Sequence, residues 1–352
     1  MTLQKALLDW FHKNARPLPW RRHYRPYEVW VSEIMLQQTQ VETALPYYTQ
    51  WLKTFPTIAS LAKADEKKVL KMWQGLGYYS RARNLHANAK LIMDKYKGIF
   101  PKDFDTLLSL KGIGRYTAGA IASIAFNETR PIVDGNVLRV LSRVFAVNKS
   151  IDIPKNKDWF WLKEEELIPH GKARFFNQAV MELGALICAK QNPLCGRCPI
   201  QNHCLAFKQN KAQSFPVRNP RKKIVKIHAA SLILHKNEKF LIQKRPVGKI
   251  MGGLWEFPEW KLSRNRFLSK RALRSKMDET LKNDLGIEGS DLRYLSSIKR
   301  SYTHHLETLE VFYLKTDAEV KTINTWPKAW VSQEDFKKYP FSSAHAKITQ
   351  LL

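Results

Sequence analysis

"LLSLKGIGRYTAGAIASIAF", residues 107–126, decides the fold. Apolar residues recur three and four apart on both sides of Gly112-Ile113-Gly114, which predicts two helices joined by a tight turn. In such a turn, backbone N–H groups face outward at the second helix's N-terminus and grip a phosphate without reading sequence. Lys111 and Arg115 flank the turn with positive charge. Glycines between helices are also common in simple packing turns, so the context matters. About twenty residues on, "PIVDGNVLRVLSR" sets Asp134 after an apolar run and before Gly135-Asn136, at the entry to another helix. Taken alone, Asp134 reads as an N-cap carboxylate. The helix dipole there favours its ionised form.

Outward from this hairpin, residues 1–207 read as an all-α domain of helices with short polar breaks. "MTLQKALLDWF" puts Leu3, Ala6, Leu7, Trp10 and Phe11 on one helical face and lacks the apolar core of a signal peptide. "VSEIMLQQTQV", residues 31–41, has the outline of a core-facing helix, yet carries Glu33 among its apolar residues and Gln37, Gln38 and Gln40 behind. Residues 208–226 are basic, polar and proline-containing, the composition of a linker. From 227 to 352 the texture changes. "IHAASLILH", "KFLIQKRP" and "ETLEVFYLK" read as strands, with a helical stretch near 267–285, giving an α+β domain.

The 352 residues carry 59 Lys plus Arg against 31 Asp plus Glu, a net charge of +28. That excess favours a polyanionic partner, because neutralising phosphates releases counterions. No run of about 18 apolar residues occurs, which speaks against a membrane span. The expectation is a cytosolic monomer, nucleoid-associated in a bacterial cell. All four cysteines fall in "CAKQNPLCGRCPIQNHC", where Cys188, Cys195, Cys198 and Cys204 form a C-x6-C-x2-C-x5-C set. Disulfide-stapled proteins do not concentrate cysteine this way; a shared ligand site does. Ligand count alone leaves zinc and a 4Fe-4S cluster both open.

The hairpin, the following aspartate and the cysteine loop together resemble the endonuclease III superfamily of DNA glycosylases. One departure is Lys111, where that pattern usually has proline. The resemblance implies a 4Fe-4S cluster in loop 188–204, with Lys190 and Arg197 turned towards DNA. Members that also cut the backbone carry a lysine nucleophile directly after the hairpin's Gly-x-Gly-Arg turn; this chain has Tyr116, which implies base removal without strand cleavage. "SEIMLQQTQV" and "GLGYYSRARNL" (75–85) are similar to the MutY-type adenine DNA glycosylases. That family implies Glu33 as the acid protonating adenine, Asp134 as stabiliser of the sugar cation, and Tyr116 and Asn136 as its orienting groups. It implies an adenine pocket of Trp20, Arg21 and Gln178. DNA contacts would come from Gln37, Gln38, Tyr78, Lys111, Gly112, Gly114 and Arg115, with Gln38 and Tyr78 wedging the duplex. Burial would raise the Glu33 pKa so that it holds its proton near neutrality.

"GGLWEFPEW", residues 252–260, resembles a Nudix fold, but the metal-binding glutamates of a Nudix hydrolase align with Thr280, Asn283 and Asp284. The domain is therefore similar to the recognition domain of the same family, in which Tyr302, Thr303 and His304 would inspect 8-oxoguanine. The implied partner is double-stranded DNA with adenine opposite 8-oxoguanine or guanine. Rival readings are a pyrimidine glycosylase, opposed by Tyr116, and a non-catalytic DNA-binding module, which would not need both Glu33 and Asp134.

Overall fold

A computed structural model describes residues 1–220, 223–288, 291–302, 304–321 and 324–352. The chain divides into two compact units, Met1–Ala64 with Arg83–Pro220, and Asp65–Ala82 with Arg221–Leu352. Among the described residues no helix is long and apolar enough to cross a membrane.

The first unit is helical. Its helices start where the sequence supplies a cap or a preset φ. Thr2 caps Leu3–Asn14, Pro26 opens Pro26–Leu36, and the Asp103 carboxylate accepts from Thr106 N–H at the head of Phe104–Ser109. The hairpin forms as expected: Phe104–Ser109, then Arg115–Ala120, which continues as a π-turn over Ile121–Ala125. Gly112 has φ +77°, and a Cβ there would lie 2.2 Å from Asn84 Nδ2, so only glycine fits. Asn88 braces the turn from below: its Nδ2 donates to the Lys111 carbonyl and its Oδ1 accepts from Lys111 N–H.

The stretch 31–41 is not one helix. Pro26–Leu36 ends after the apolar run, Gln38 turns to φ +58°, and a new helix begins at Val41 and runs to Thr54. The amides thus form a corner rather than the back of a helix. The main core packs Leu3–Asn14, Gly135–Val144, Pro154–Leu167 and Ala173–Leu186 through Leu7, Phe11, Val137, Leu141, Phe160 and Phe176.

The second unit is built on a seven-stranded mixed sheet: β1 (Val225–Lys236), β2 (Lys239–Lys244), β3 (Trp255–Glu256), β4 (Glu259–Arg264), β5 (Arg293–Tyr302), β6 (His305–Lys315) and β7 (Lys328–Val331). The order is β3-β2-β1-β6-β5, with β4 on β1 and β7 on β2; β1 and β6 run parallel and the other pairs antiparallel. Both faces of β1 are covered, which explains its continuous apolar run. Ala230, Leu232 and Leu234 meet Leu273, Met277, Leu281 and Leu285 of the expected helical stretch, which spans Lys270–Thr280 and a π-turn to Leu285. Ile227, Ala229 and Ile233 pack on the opposite side with Phe257, Phe341 and Ile348. The short helix Glu66–Met72 also belongs to this unit, and Tyr79, buried, donates its hydroxyl to the Phe341 carbonyl.

Candidate active site

Glu33 lies near the end of Pro26–Leu36, on the helix face turned inward, and is 5% exposed. Its Oε2 accepts a 2.8 Å hydrogen bond from the hydroxyl of Tyr116, in the first turn of the second hairpin helix. Burial raises the Glu33 carboxyl to about 7; the Tyr116 hydrogen bond and Arg21 pull it down, while Asp134 pushes it up. Tyr116 is itself held well above its ordinary value, by burial first and then by the Glu33 and Asp134 charges. It remains a hydrogen-bond donor.

Asp134 caps Gly135–Val144. Its Oδ1 accepts from Asn136 N–H (2.8 Å) and Val137 N–H (2.7 Å), and its Oδ2 from Asn136 Nδ2 (2.9 Å). Burial pushes the Asp134 carboxyl upward, against these donors and the Arg139 charge. The cap reading and the functional reading therefore coexist in one side chain. Asn136 is fixed in turn by Arg139, whose Nη2 donates to Asn136 Oδ1 and to the Gly184 carbonyl. A Cβ at Gly184 would lie 2.6 Å from Asn136 Cβ, so this glycine is what lets Ala173–Leu186 approach.

Glu33, Tyr116, Asp134 and Asn136 line a cavity of about 560 Å³ together with Trp20, Arg21 and Gln178. That size suits a small ligand or an extruded base. Trp20 is buried edge-on against Tyr48. Arg21 Nε donates to Gln178 Oε1 at 3.0 Å, and Gln178 Nε2 donates to the Arg174 carbonyl, which fixes the amide's orientation. Two residues of this wall escaped the sequence reading, Arg16 and Glu182. Glu182 accepts from Arg16 N–H, Nε and Nη2 and from Arg21 Nη2. Burial would raise it, but the hydrogen bonds from Arg16 and Arg21 outweigh that and hold it at about 2. Its only sequence signal is its place one turn after Gln178.

The residues expected at DNA fall in three settings. Lys111, Gly112, Gly114 and Arg115 are exposed at the hairpin turn, and Arg115 stacks on Trp161 (4.3 Å) beside Asp158. Gln37 donates from Nε2 to Thr117 Oγ1, tying the corner after Glu33 to the hairpin, and Gln38 is exposed in left-handed backbone. In the second unit, Tyr78 is 48% exposed at φ +47°, whereas its neighbour Tyr79 is buried, so the two tyrosines differ in kind. Such φ values cost non-glycine residues energy and recur at functional sites. Tyr302 and His304 sit at the β5–β6 turn; Thr303 lies outside the described residues.

The four cysteines follow Ala173–Leu186 in a loop of short turns, and none is disulfide-bonded. Burial, and then the charges of the other cysteines, raise the Cys195 and Cys198 thiols, Cys198 to about 12. No three of the four sulfurs lie within 4.8 Å of one another. Ligands of one zinc ion, at ~2.3 Å each, would. Donor type and spread fit a polynuclear group better than a single ion. Arg143 seals the loop from inside, donating to Cys188 Sγ and to the Cys188 and Ala189 carbonyls, while Lys190 and Arg197 are exposed.

Comparison with known proteins agrees with this geometry. Residues 31–158 match the model of the HhH-GPD superfamily base excision DNA repair proteins, and residues 229–351 that of the NUDIX domain. The chain is 33% identical to a human adenine DNA glycosylase over 97% of its own length and 72% of the relative's. It is 40% identical to an adenine DNA glycosylase of Buchnera aphidicola, covering 73% of this chain and 74% of the other. Among solved structures, a thermostable thymine-DNA glycosylase superposes with a TM-score of 0.54 and 28% identity, covering 58% of this chain and 95% of that one.

Proposed function

The chain belongs to the adenine DNA glycosylases of base excision repair, and from that premise we propose that it removes adenine opposite 8-oxoguanine, and opposite guanine, by extruding the base. The observation that carries the reading is the pair of carboxyls in one cavity, Glu33 in apolar surroundings and Asp134 among N–H donors. Flipping brings adenine between Trp20 and the Arg21–Gln178 edge. Glu33, half protonated near pH 7, gives its proton to N7. The C1′–N9 bond then breaks with its electrons moving to the purine, leaving a sugar cation beside the Asp134 carboxylate. Water adds at C1′ and returns its proton to Glu33. The division between a protonated acid and an ionised partner repeats that of glycoside hydrolysis.

Tyr116 occupies the position where strand-cutting relatives have lysine, so no Schiff base forms by that route and the enzyme stops at the abasic site. Cys188, Cys195, Cys198 and Cys204 would hold a 4Fe-4S cluster, whose contribution is to cross-link the loop that carries Lys190 and Arg197. The hairpin turn at Lys111–Arg115 receives a backbone phosphate, Gln38 and Tyr78 fill the gap left by the base, and the Tyr302–His304 turn reads the opposite base. Domain limits of 1–207, 208–226 and 227–352 and a monomeric state complete the proposal.

The test is single-turnover incubation with a duplex containing 8-oxoguanine opposite adenine, read with and without alkali. Strand breaks only after alkali, lost in Glu33→Gln, are expected. Breaks without alkali overturn the base-removal-only reading, and no adenine release overturns the enzyme reading.

A further inference from the structure

A continuous chain of buried charge runs behind the β5–β6 hairpin. Glu307 is fully buried on β6, and its Oε2 accepts from the Tyr302 hydroxyl at 2.6 Å. Its Oε1 takes Arg300 Nε at 2.8 Å and also Arg300 Nη2. That same Nη2 donates to Glu259 Oε1 at 2.8 Å, which receives Arg245 Nη2 at 2.8 Å. Glu259 Oε2 faces His345 Nε2 at 3.0 Å. His345 Nδ1 accepts from Phe257 N–H, so the proton of this buried ring sits on Nε2 and points at Glu259. Arg245 also pairs with Glu256, which takes a second bond from Gln243. Glu256, Glu259 and His345 lie close enough together to resemble a cation site. The Arg245 and Arg300 guanidinium groups already occupy their oxygens, so this is an ion chain, not a metal site.

The chain ends at the one residue that leads into the turn. Tyr302 pairs with His305 across the hairpin, and the two rings stack at 5.3 Å and 26°; His305 in turn lies 4.2 Å from the exposed His304 ring. A hydroxyl tied to a buried carboxylate restrains the Tyr302 ring, which stacks on His305, and His305 in turn lies against the tilted His304 ring. We propose that the Tyr302–Glu307–Arg300–Glu259 chain positions this hairpin, so that discrimination between 8-oxoguanine and guanine opposite adenine depends on the Tyr302 hydroxyl and on Glu307. The proposal rests on the reading of the Tyr302–His304 turn as the reader of that base. Tyr302 and Glu307 are positioning residues: Tyr302 acts through its hydroxyl on Glu307, and Glu307 is fully buried.

The experiment compares Tyr302→Phe, Glu307→Gln, their double variant and His304→Ala in the full chain. The readout is the ratio of single-turnover adenine release rates from 8-oxoguanine:adenine and guanine:adenine duplexes. Tyr302→Phe removes only a hydroxyl and keeps the ring, so it stays informative if Glu307→Gln, which takes one of its two carboxylate partners from Arg300, fails to fold. We expect the ratio to fall roughly three- to tenfold in Tyr302→Phe, the scale of one hydrogen bond to a charged group only partly transmitted to the base. The double variant should lose no more than the worse single one, because the Tyr302 hydroxyl acts only through residue 307. An unchanged ratio in Tyr302→Phe with a lowered one in His304→Ala overturns the positioning role and leaves the base-reading turn standing. Unchanged ratios in both overturn the two together. Equal slowing on both duplexes marks a merely structural chain and also overturns the proposal.

Discussion

Glu33 shows how a buried acid can oppose stability. A Gln in its place keeps the shape and the Tyr116 contact but never ionises. The folded Glu33 carboxyl is raised to about 7 from an ordinary value near 4.5. Its cost is therefore absent below the unfolded value, grows as pH rises between the two, and is complete above the folded one. A shift of this size corresponds to about 3 kcal/mol. Glu33→Gln should thus melt higher than the parent at pH 8, with the gap closing towards pH 5, while releasing no adenine at either pH. Equal melting curves at pH 8 would contradict the burial argument. In the parent, adenine release should slow as pH rises through about 7. Glu182 acts differently, as the anchor of Arg16 and Arg21. Glu182→Gln should slow single-turnover release by roughly 10- to 100-fold, the scale of a misplaced pocket group. Duplex affinity, measured on the same protein, should change little.

At the level of elements, Ala173–Leu186 carries Gln178 and Glu182 one turn apart and Gly184 two residues further, so its distance from Gly135–Val144 sets the pocket. Gly184→Ala would force a Cβ into Asn136, and overpacking of this kind costs about 1–3 kcal/mol. The expected result is a lower melting temperature and a larger loss of release rate than of DNA binding, because Asn136 orients Asp134. The hairpin, Asp134, Glu33 and the cysteine loop were legible in the sequence, since each depends on local spacing: glycines in a turn, an acid before a helix, an acid in an apolar run. The break at Gln37–Gln40 was not, because alternating amides fit a helix as well as a corner until the φ of Gln38 is known. Arg16 and Glu182 were hidden for another reason. Their partnership spans 166 positions of chain, and no local pattern announces it. The ion chain behind Tyr302 was hidden likewise: Arg245, Glu259, Arg300 and His345 come from four separate segments and read singly as surface charge.

Over the whole molecule, contact compactness and sequence order part company at one place. Residues 65–82 interrupt the helical unit in sequence yet belong to the unit that holds the sheet. Tyr79 is the clearest sign: its ring is buried and its hydroxyl donates to Phe341 near the C-terminus. A chain cut after Pro220 would therefore lose more than its NUDIX domain. It would leave the Tyr79 hydroxyl without its Phe341 acceptor and take the sheet away from the unit to which Glu66–Met72 belongs. Hydrogen exchange of the Glu66–Met72 amides should consequently be faster in the truncated chain than in the full one, while amides of Gly135–Val144 and Ala173–Leu186 exchange alike in both. Unchanged exchange of the Glu66–Met72 amides after truncation would mean that their order does not depend on residues 221–352.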